Sequence, residues 1–384
     1  MAPLRLLTVI GARPQIIKAA AISRAVKGRG CADITEVLLH TGQHYDANMS
    51  QVFFDELGVP RADVALGVGS GAHGVQTARM IEGIEQALIK HRPDVVLLYG
   101  DTNSTLAGAI AASKLHVPVA HVEAGLRSFN KGMPEEVNRI VCDHCSTWLF
   151  CPTSTAVKNL VREGFDEVAT AKPTADRPNV LMSGDVMYDN SMYFAGLAEQ
   201  RSTILRDLNL HPEGFLLATV HRDHNTDNAE RLTVILSSLL ELYETHGLPV
   251  VLPLHPRTRK RMDELLPWEI RGRVMADREI RVVPPVGFLD MIALERHARL
   301  VLTDSGGVQK EAYFFSRPCV ILRPETEWVE LVDKGQATLA DADPQRILGA
   351  ADVFLKNGMP ACPPLFGDGH AAERIIDELL RTYR

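Results

Sequence analysis

Three things are scarce in this 384-residue chain, and each scarcity excludes something. Positive charge is the first: 41 Lys and Arg against 48 Asp and Glu leave a formal net charge of −7. The cationic footprint that holds nucleic acid or an anionic membrane surface is therefore missing. Long apolar runs are the second. No stretch reaches the ~18 residues of a membrane span, and the opening MAPLRLLTVIGARP is too short and wrongly flanked for a signal peptide. A soluble, cytoplasmic protein with no membrane and no nucleic-acid partner is expected. Cysteine is the third. The six present (Cys31, Cys142, Cys145, Cys151, Cys319, Cys362) form no secreted-scaffold spacing, so disulfides are not expected. Cys142 and Cys145 do make a CxxC, but they share one face of the helical segment EEVNRIVCDHC. No second CxxC or HxxxH follows at metal-site spacing, so two small buried side chains are expected there, and no metal. Repeats of 20 to 50 residues and low-complexity tracts are also lacking.

What is present is an alternation of short apolar runs with longer segments of helical period. The strand candidates are 4–10, 34–40, 94–100, 118–124, 147–153, 215–221, 249–255, 280–286, 299–305 and 318–323. Most are continuously apolar, as strands covered on both faces are. The pattern predicts an α/β protein of two Rossmann-like, doubly wound domains facing a cleft. The Pro-, Thr- and Asp-rich TAKPTADRPN (170–179) reads as the hinge, giving a first domain over 1–175 and a second over 176–369. The closing helix, 370–384, is expected to cross back onto the first.

Polar residues gather at strand ends, where such folds bind ligands: Asp101, His121, Glu123, His221, His255, Asp304 and Ser305. In TDSGGVQKEA, Ser305, Gly306 and Gly307 form a strand–turn–helix start suited to phosphate, and equally to a simple capped helix. Glu311, one turn on, is placed to accept from ribose hydroxyls. In GARPQIIK, Arg13 and Lys18 surround Pro14 at a helix start and suit a diphosphate or a solvated helix face. GVGSGAHG (67–74) lacks the strand context of a dinucleotide fingerprint and reads as a loop. The carboxylates Asp101, Glu123, Glu135 and Glu136, flanked by Arg127 and Arg139, point to acid/base chemistry.

Taken in order, GARPQIIKA, TGQH, YGDTNSTLAGA, HVEAGLR, MPEEVNR, HR, HPRTR and TDSGGVQKEA span nearly the whole chain and resemble the non-hydrolysing UDP-N-acetylglucosamine 2-epimerases. The resemblance implies a GT-B-like fold, a homodimer, no cofactor or metal, and inversion of C2 of a UDP-sugar. It also implies roles: Asp101, Glu123 and Glu135 as catalytic carboxylates supported by Arg139; Arg13 and Lys18 on diphosphate or sugar; His221 beside the diphosphate; Ser305, Gly306 and Gly307 on phosphate; Glu311 on ribose; and the backbone of Pro285 to Phe288 on uracil. Elimination of UDP and its re-addition would need acid/base groups on two ring faces and cations around the leaving group. Three carboxylates in one domain argue against a glycosyltransferase of the same fold and against a non-enzymatic UDP-sugar sensor; a hydrolysing epimerase is the other alternative.

The chain departs from the best-known bacterial members by reading HRDHN for HRREN and by a lengthened QHYDANM. In some members those segments build a second, activating nucleotide site, so activation is not expected here. The variants TGQHYDANMS, FNKGMPEE and ETEWVE resemble the branch acting on UDP-2,3-diacetamido-2,3-dideoxyglucuronate.

Overall fold

Runs such as LLTVI and VVLLY leave no polar edge to face water, and a parallel sheet with helices on both sides is the arrangement that buries them. The computed structural model describes residues 2–30, 32–42, 61–276, 280–361 and 364–383. Cys31, Cys362 and most of TGQHYDANMS, including His44 and Asp46, lie outside the described residues. The chain divides into two compact units, Met1–Asn190 with Pro364–Arg384, and Ser191–Pro363.

The first unit holds strands β1 (Leu4–Ile10), β2 (Ile34–His40), β3 (Val64–Ala65), β4 (Val95–Tyr99), β5 (Val119–Val122), β6 (Trp148–Cys151) and β7 (Asn179–Met182), in the order β3-β2-β1-β4-β5-β6-β7. Every pairing is parallel, with Leu98 opposite His121 and Tyr99 opposite Val122. The second unit has β8 (Leu216–Thr219), β9 (Val250–Pro253), β10 (Ile280–Val283), β11 (Leu300–Thr303), β12 (Cys319–Ile321) and β13 (Ala337–Leu339), ordered β10-β9-β8-β11-β12-β13 and again parallel. Each core is built between sheet and helices, around Leu7, Val96 and Ile84 in the first unit and Leu216, Leu302 and Leu239 in the second. In each sheet the strand order reverses once, between β1 and β4 and between β8 and β11. At such a switch point the following loops diverge and leave a recess beyond the strand ends.

The division falls at 190/191 and not at 175/176, because residues 179–182 are not linker but the edge strand of the first sheet, with Asn179 opposite Trp148. The TAKPTADRPN loop is closed on itself: the Asn179 side chain accepts from the Thr170 N–H at 2.6 Å and donates to the Thr170 carbonyl at 3.0 Å. The closing helix, Ala371–Tyr383, does return to the first unit, where it packs against helix Arg13–Arg29 and buries Ile375, Ile376 and Leu379. Its first two N–H groups donate to Asp189 at 3.1 and 2.7 Å. GVGSGAHG forms a loop up to Ala72 and begins helix His73–His91; β3, too short to read from sequence, precedes it. Cys142 and Cys145 lie on helix Pro134–Cys145 as free thiols, the first buried and the second half-buried. No described helix is long and apolar enough to cross a membrane.

Candidate active site

At the switch point of the first unit, the chain leaves β1 through Gly11 and Ala12 into helix Arg13–Arg29. A β-carbon at Gly11 would collide with the hydroxyls of Ser104 and Thr41, so the turn passes there only as glycine. Buried Gln15 then staples the turn: Oε1 accepts from the N–H groups of Gly11 and Ala12 at 2.9 and 3.2 Å, and Nε2 donates to Thr105 Oγ1 at 3.0 Å. Arg13 is exposed at the first helical position, and Pro14 takes the second rather than the first. Lys18, further along, reaches Glu123 and forms an ion pair with its Oε2, both side chains being almost covered.

Beyond β4, Gly100 turns with φ of +59°, and a β-carbon there would stand 3.1 Å from Glu123 Oε2 and 3.3 Å from Lys18 Nζ. The Lys18–Glu123 pair thus rests on the bare Cα of Gly100. Glu123 itself has φ of +73°, an unusual backbone for a residue with a side chain. Asp101 follows Gly100 and meets Arg139, Nη1 to Oδ2 2.5 Å. Arg139 also binds Glu136 Oε2 at 2.9 and 3.1 Å, and buried Glu136 accepts from the N–H groups of Ser128 and Phe129 at 2.9 Å each. Glu135 is exposed on the first turn of helix Pro134–Cys145. Burial raises the Asp101 carboxyl above its ordinary range; Lys18 and Arg139 oppose the rise, and Glu123 and Glu135 add to it. Asp101, Glu123, Glu135, Lys18 and Arg139 therefore share one electrostatic neighbourhood. Arg127 is not part of it: its guanidinium binds Asp143 at 2.7 Å and Glu163 at 2.6 Å, away from the carboxylates the sequence set beside it.

In the second unit, the buried Asp304 at the end of β11 organises the turn after β8. It accepts from the His221 N–H at 3.0 and 3.1 Å, from the Arg222 N–H at 3.0 Å and from Asn225 Nδ2 at 3.0 Å. Asp304 is thus a fastening for the turn. The surrounding protein, and His255 beyond it, hold the His221 imidazole below its ordinary pKa, against the pull of Asp304. His255 caps helix Pro256–Leu265, accepting from the Arg257 N–H at 3.3 Å. Ser305 is the N-cap residue of helix Gly306–Phe314 and makes no side-chain cap bond. Gly306 is required for a reason the motif did not reveal: a β-carbon would strike Glu327 Oε1, whose partner Arg323 lies 3.0 Å from its other oxygen. The Trp328 indole N–H donates to the Gly306 carbonyl at 3.0 Å and its ring lies under Lys310, 4.1 Å from Nζ. Glu311 is half-buried on the same helix. Pro285 is exposed, and Phe288 packs edge-on against Phe194, 5.1 Å between ring centres. Asp223 is paired with Arg257, which also holds Asp227 at 2.7 Å. Among the described residues no three His, Cys, Asp or Glu side chains cluster as a metal site would require.

The structure brings together Lys18, Asp101, Glu123, Glu135 and Arg139 in the first unit. His221, Ser305, Gly306, Gly307 and Glu311 lie around the β8–β11 switch and the helix that follows it in the second. Sequence reasoning missed Gln15 and Glu136 as braces: the i,i+3 spacing of Glu136 and Arg139 shows an ion pair, but the turn N–H groups that both side chains hold are backbone groups no spacing rule reveals.

Two parallel sheets, each with one reversal of strand order, place the chain among the GT-B-like α/β proteins. Alpha,alpha-trehalose 6-phosphate synthase from Burkholderia multivorans shares that fold, with a TM-score of 0.56 at 13% identity. The family model for UDP-N-acetylglucosamine 2-epimerase matches residues 27–380. UDP-2,3-diacetamido-2,3-dideoxy-D-glucuronate 2-epimerase of Pseudomonas aeruginosa is 48% identical over 98% of this chain and 100% of its own. UDP-N-acetylglucosamine 2-epimerase of Methanocaldococcus jannaschii is 39% identical over 97% of this chain and 98% of its own. The crystal structure of that enzyme with UDP-GlcNAc and UDP superposes with a TM-score of 0.80, covering 99% of this chain and 100% of that one. The chain belongs to the UDP-N-acetylglucosamine 2-epimerase family and is an isomerase.

Proposed function

We propose that this enzyme inverts C2 of a UDP-2-acetamido sugar, as in the conversion of UDP-N-acetylglucosamine to UDP-N-acetylmannosamine, by elimination and re-addition of UDP. The observation that carries the reading is the group of three carboxylates, Asp101, Glu123 and Glu135, interleaved with Lys18 and Arg139 at one switch point. One carboxylate takes the C2 proton as the C1–O bond breaks and its electron pair leaves with UDP, forming the C1=C2 double bond of a 2-acetamidoglucal. A carboxylate on the other face then returns a proton to C2 while the UDP oxygen adds back to C1. Two faces need two proton carriers, and their pKa values must differ. Arg139 supports Asp101, and Lys18 pairs with Glu123.

The second unit takes the nucleotide in this reading. Ser305, Gly306 and Gly307 meet phosphate at a helix N-terminus, Glu311 accepts from ribose, the Pro285–Phe288 backbone faces uracil, and His221 attends the diphosphate, while Arg13 and Lys18 of the first unit contact the diphosphate or the sugar. No cofactor is called for. A cytoplasmic homodimer making precursors for cell-surface polysaccharide completes the proposal.

A second substrate reading has its own support: the relative at 48% identity is named for UDP-2,3-diacetamido-2,3-dideoxy-D-glucuronate. Incubation with each nucleotide sugar in D2O, followed by NMR at C2, tests chemistry and substrate together. Deuterium at C2 of the product is expected from elimination with solvent exchange; epimerisation without it would point to hydride transfer and defeat the carboxylate assignment.

A further inference from the structure

Three consecutive carbonyls run along the turn that presents Asp101, and a side chain from a different element grips each one. Gln15 Nε2 donates to the Tyr99 carbonyl at 2.9 Å, joined by the Thr105 hydroxyl at 2.7 Å. His121 Nε2 lies 2.8 Å from the Gly100 carbonyl. Asn138 Nδ2 donates to the Asp101 carbonyl at 2.8 Å. The amides of Gln15 and Asn138 offer N–H groups at any pH. His121 does not, because a neutral imidazole has one donor and one acceptor.

Both nitrogens of His121 face acceptors. Nδ1 stands 2.7 Å from Asp143 Oδ1, and the ring is fully buried. A neutral ring would satisfy both contacts only if Asp143 carried the proton instead. The other oxygen of Asp143 is 2.7 Å from Arg127 and accepts from the Gly125 N–H at 3.2 Å, an environment that opposes its protonation. Burial works against the charge on Asp143, and His121 and Arg127 overcome it, keeping the carboxyl below its ordinary range.

We propose that His121 is a positioning residue, a doubly donating imidazolium that locks the Gly100 carbonyl, and with it both the turn carrying Asp101 and the glycine on which the Lys18–Glu123 pair rests. The groups facing it are Cys142 and Asp143 of helix Pro134–Cys145, with Arg127 behind Asp143. Burial pulls the imidazole pKa down, and Cys142 and Asp143 push it well above its usual value. The positive charge belongs to the buried scaffold and exchanges no proton with substrate. The effect on turnover rests on Asp101 and Glu123 being the reacting carboxylates; the protonation state of the ring does not.

Histidine labelled with 15N reads that state directly, with the His121→Gln spectrum identifying the resonance. Both ring nitrogens of His121 are expected to stay protonated at neutral pH and above, past the ordinary histidine range. An unprotonated ring nitrogen at neutral pH overturns the proposal. In kinetics, His121→Asn keeps a donor towards Asp143 and loses the one towards Gly100, whereas His121→Gln can restore the latter. His121→Asn is expected to lower kcat by about 10²-fold, the scale of a 1 Å misplacement, with UDP affinity unchanged and most of kcat recovered in His121→Gln. Wild-type kcat in His121→Asn also overturns it. Wild-type turnover in both Asp101→Asn and Glu123→Gln would instead defeat the carboxylate reading and leave the NMR result standing, so the two failures are separable.

Discussion

Arg139 meets Asp101 at 2.5 Å while its remaining nitrogens are bound to Glu136, so a cation fixed from behind faces the carboxylate it tunes. The position of that charge bears directly on the pH dependence of the enzyme. Burial lifts the Asp101 carboxyl and Arg139 holds it back. With Asp101 acting as an ionised base, the acid limb of kcat/KM lies above the ordinary Asp value of ~3.9. Replacing Arg139 by Gln removes the opposing charge and moves the limb to higher pH. A pH–rate profile that stays in place, or moves down, contradicts the role given to Asp101.

Asp101→Asn, Glu123→Gln and Glu135→Gln keep shape and remove proton transfer, a step worth about 10²- to 10⁴-fold. Each variant should lose kcat on that scale and still bind UDP in calorimetric titration, since the nucleotide contacts are assigned mainly to the other unit. Near-normal turnover in all three would leave the carboxylates as structural groups.

Asp304 tests the second unit. Alanine there strands the N–H groups of His221 and Arg222 and the Asn225 amide, at about 1–3 kcal/mol for each donor left unsatisfied. Thermal unfolding should show a lowered transition, and UDP affinity should fall because the turn bearing His221 is released. Unaltered UDP binding in a folded Asp304→Ala protein would separate that turn from the nucleotide.

The buried charges of the first unit set its stability against pH. The raised His121 pKa stabilises fully below the unfolded histidine value of ~6.5, and that contribution fades as pH climbs through the folded value. Asp143, lowered, stabilises above the unfolded Asp value and loses its contribution as pH falls through the folded one. Melting temperature should therefore decline on the alkaline side in the wild type and less so in His121→Gln. Asp143→Asn takes the carboxylate away from His121 and leaves Arg127 with Glu163 alone, and breaking such a buried pair costs about 3–5 kcal/mol. Superimposable alkaline melting curves for wild type and His121→Gln would refute the argument.

The HRDHN sequence predicts hyperbolic kinetics in both directions, with reverse turnover independent of added activating nucleotide. Asp223 of that segment carries a charge that repels a diphosphate. The structure gives Asp223 an Arg257 partner, which softens that repulsion but commits the arginine. Reverse initial rates with and without traces of forward substrate decide the matter; a lag, or strict dependence on the trace, would go against it.

The strands of the sheet centres were legible because continuous apolar runs such as Val95–Tyr99 admit few other fates. Val64–Ala65, Asn179–Met182 and Ala337–Leu339 were not: each lies at the edge of its sheet, where a long apolar run is not required. Overlooking β7 alone misplaced the boundary between the units. Asp101, Glu123 and Arg139 announced themselves as charges beside strand ends. Lys18 was legible as a cation but not as the partner of Glu123, 105 residues away, and the approach of Glu327 to Gly306 is a tertiary contact no local pattern encodes. Gln15, His121 and Asn138 act on backbone carbonyls, so their partners left no trace in the order of side chains.

The return of helix Ala371–Tyr383 to helix Arg13–Arg29 makes the first unit discontinuous in sequence. Residues 191–363 form a unit interrupting another, so they can fold without residues 364–383. The first unit, which carries Asp101 and Glu123, is complete only when that helix buries Ile375, Ile376 and Leu379. A chain truncated after residue 363 should thus contain a finished second unit and a first unit still open along the face of helix Arg13–Arg29.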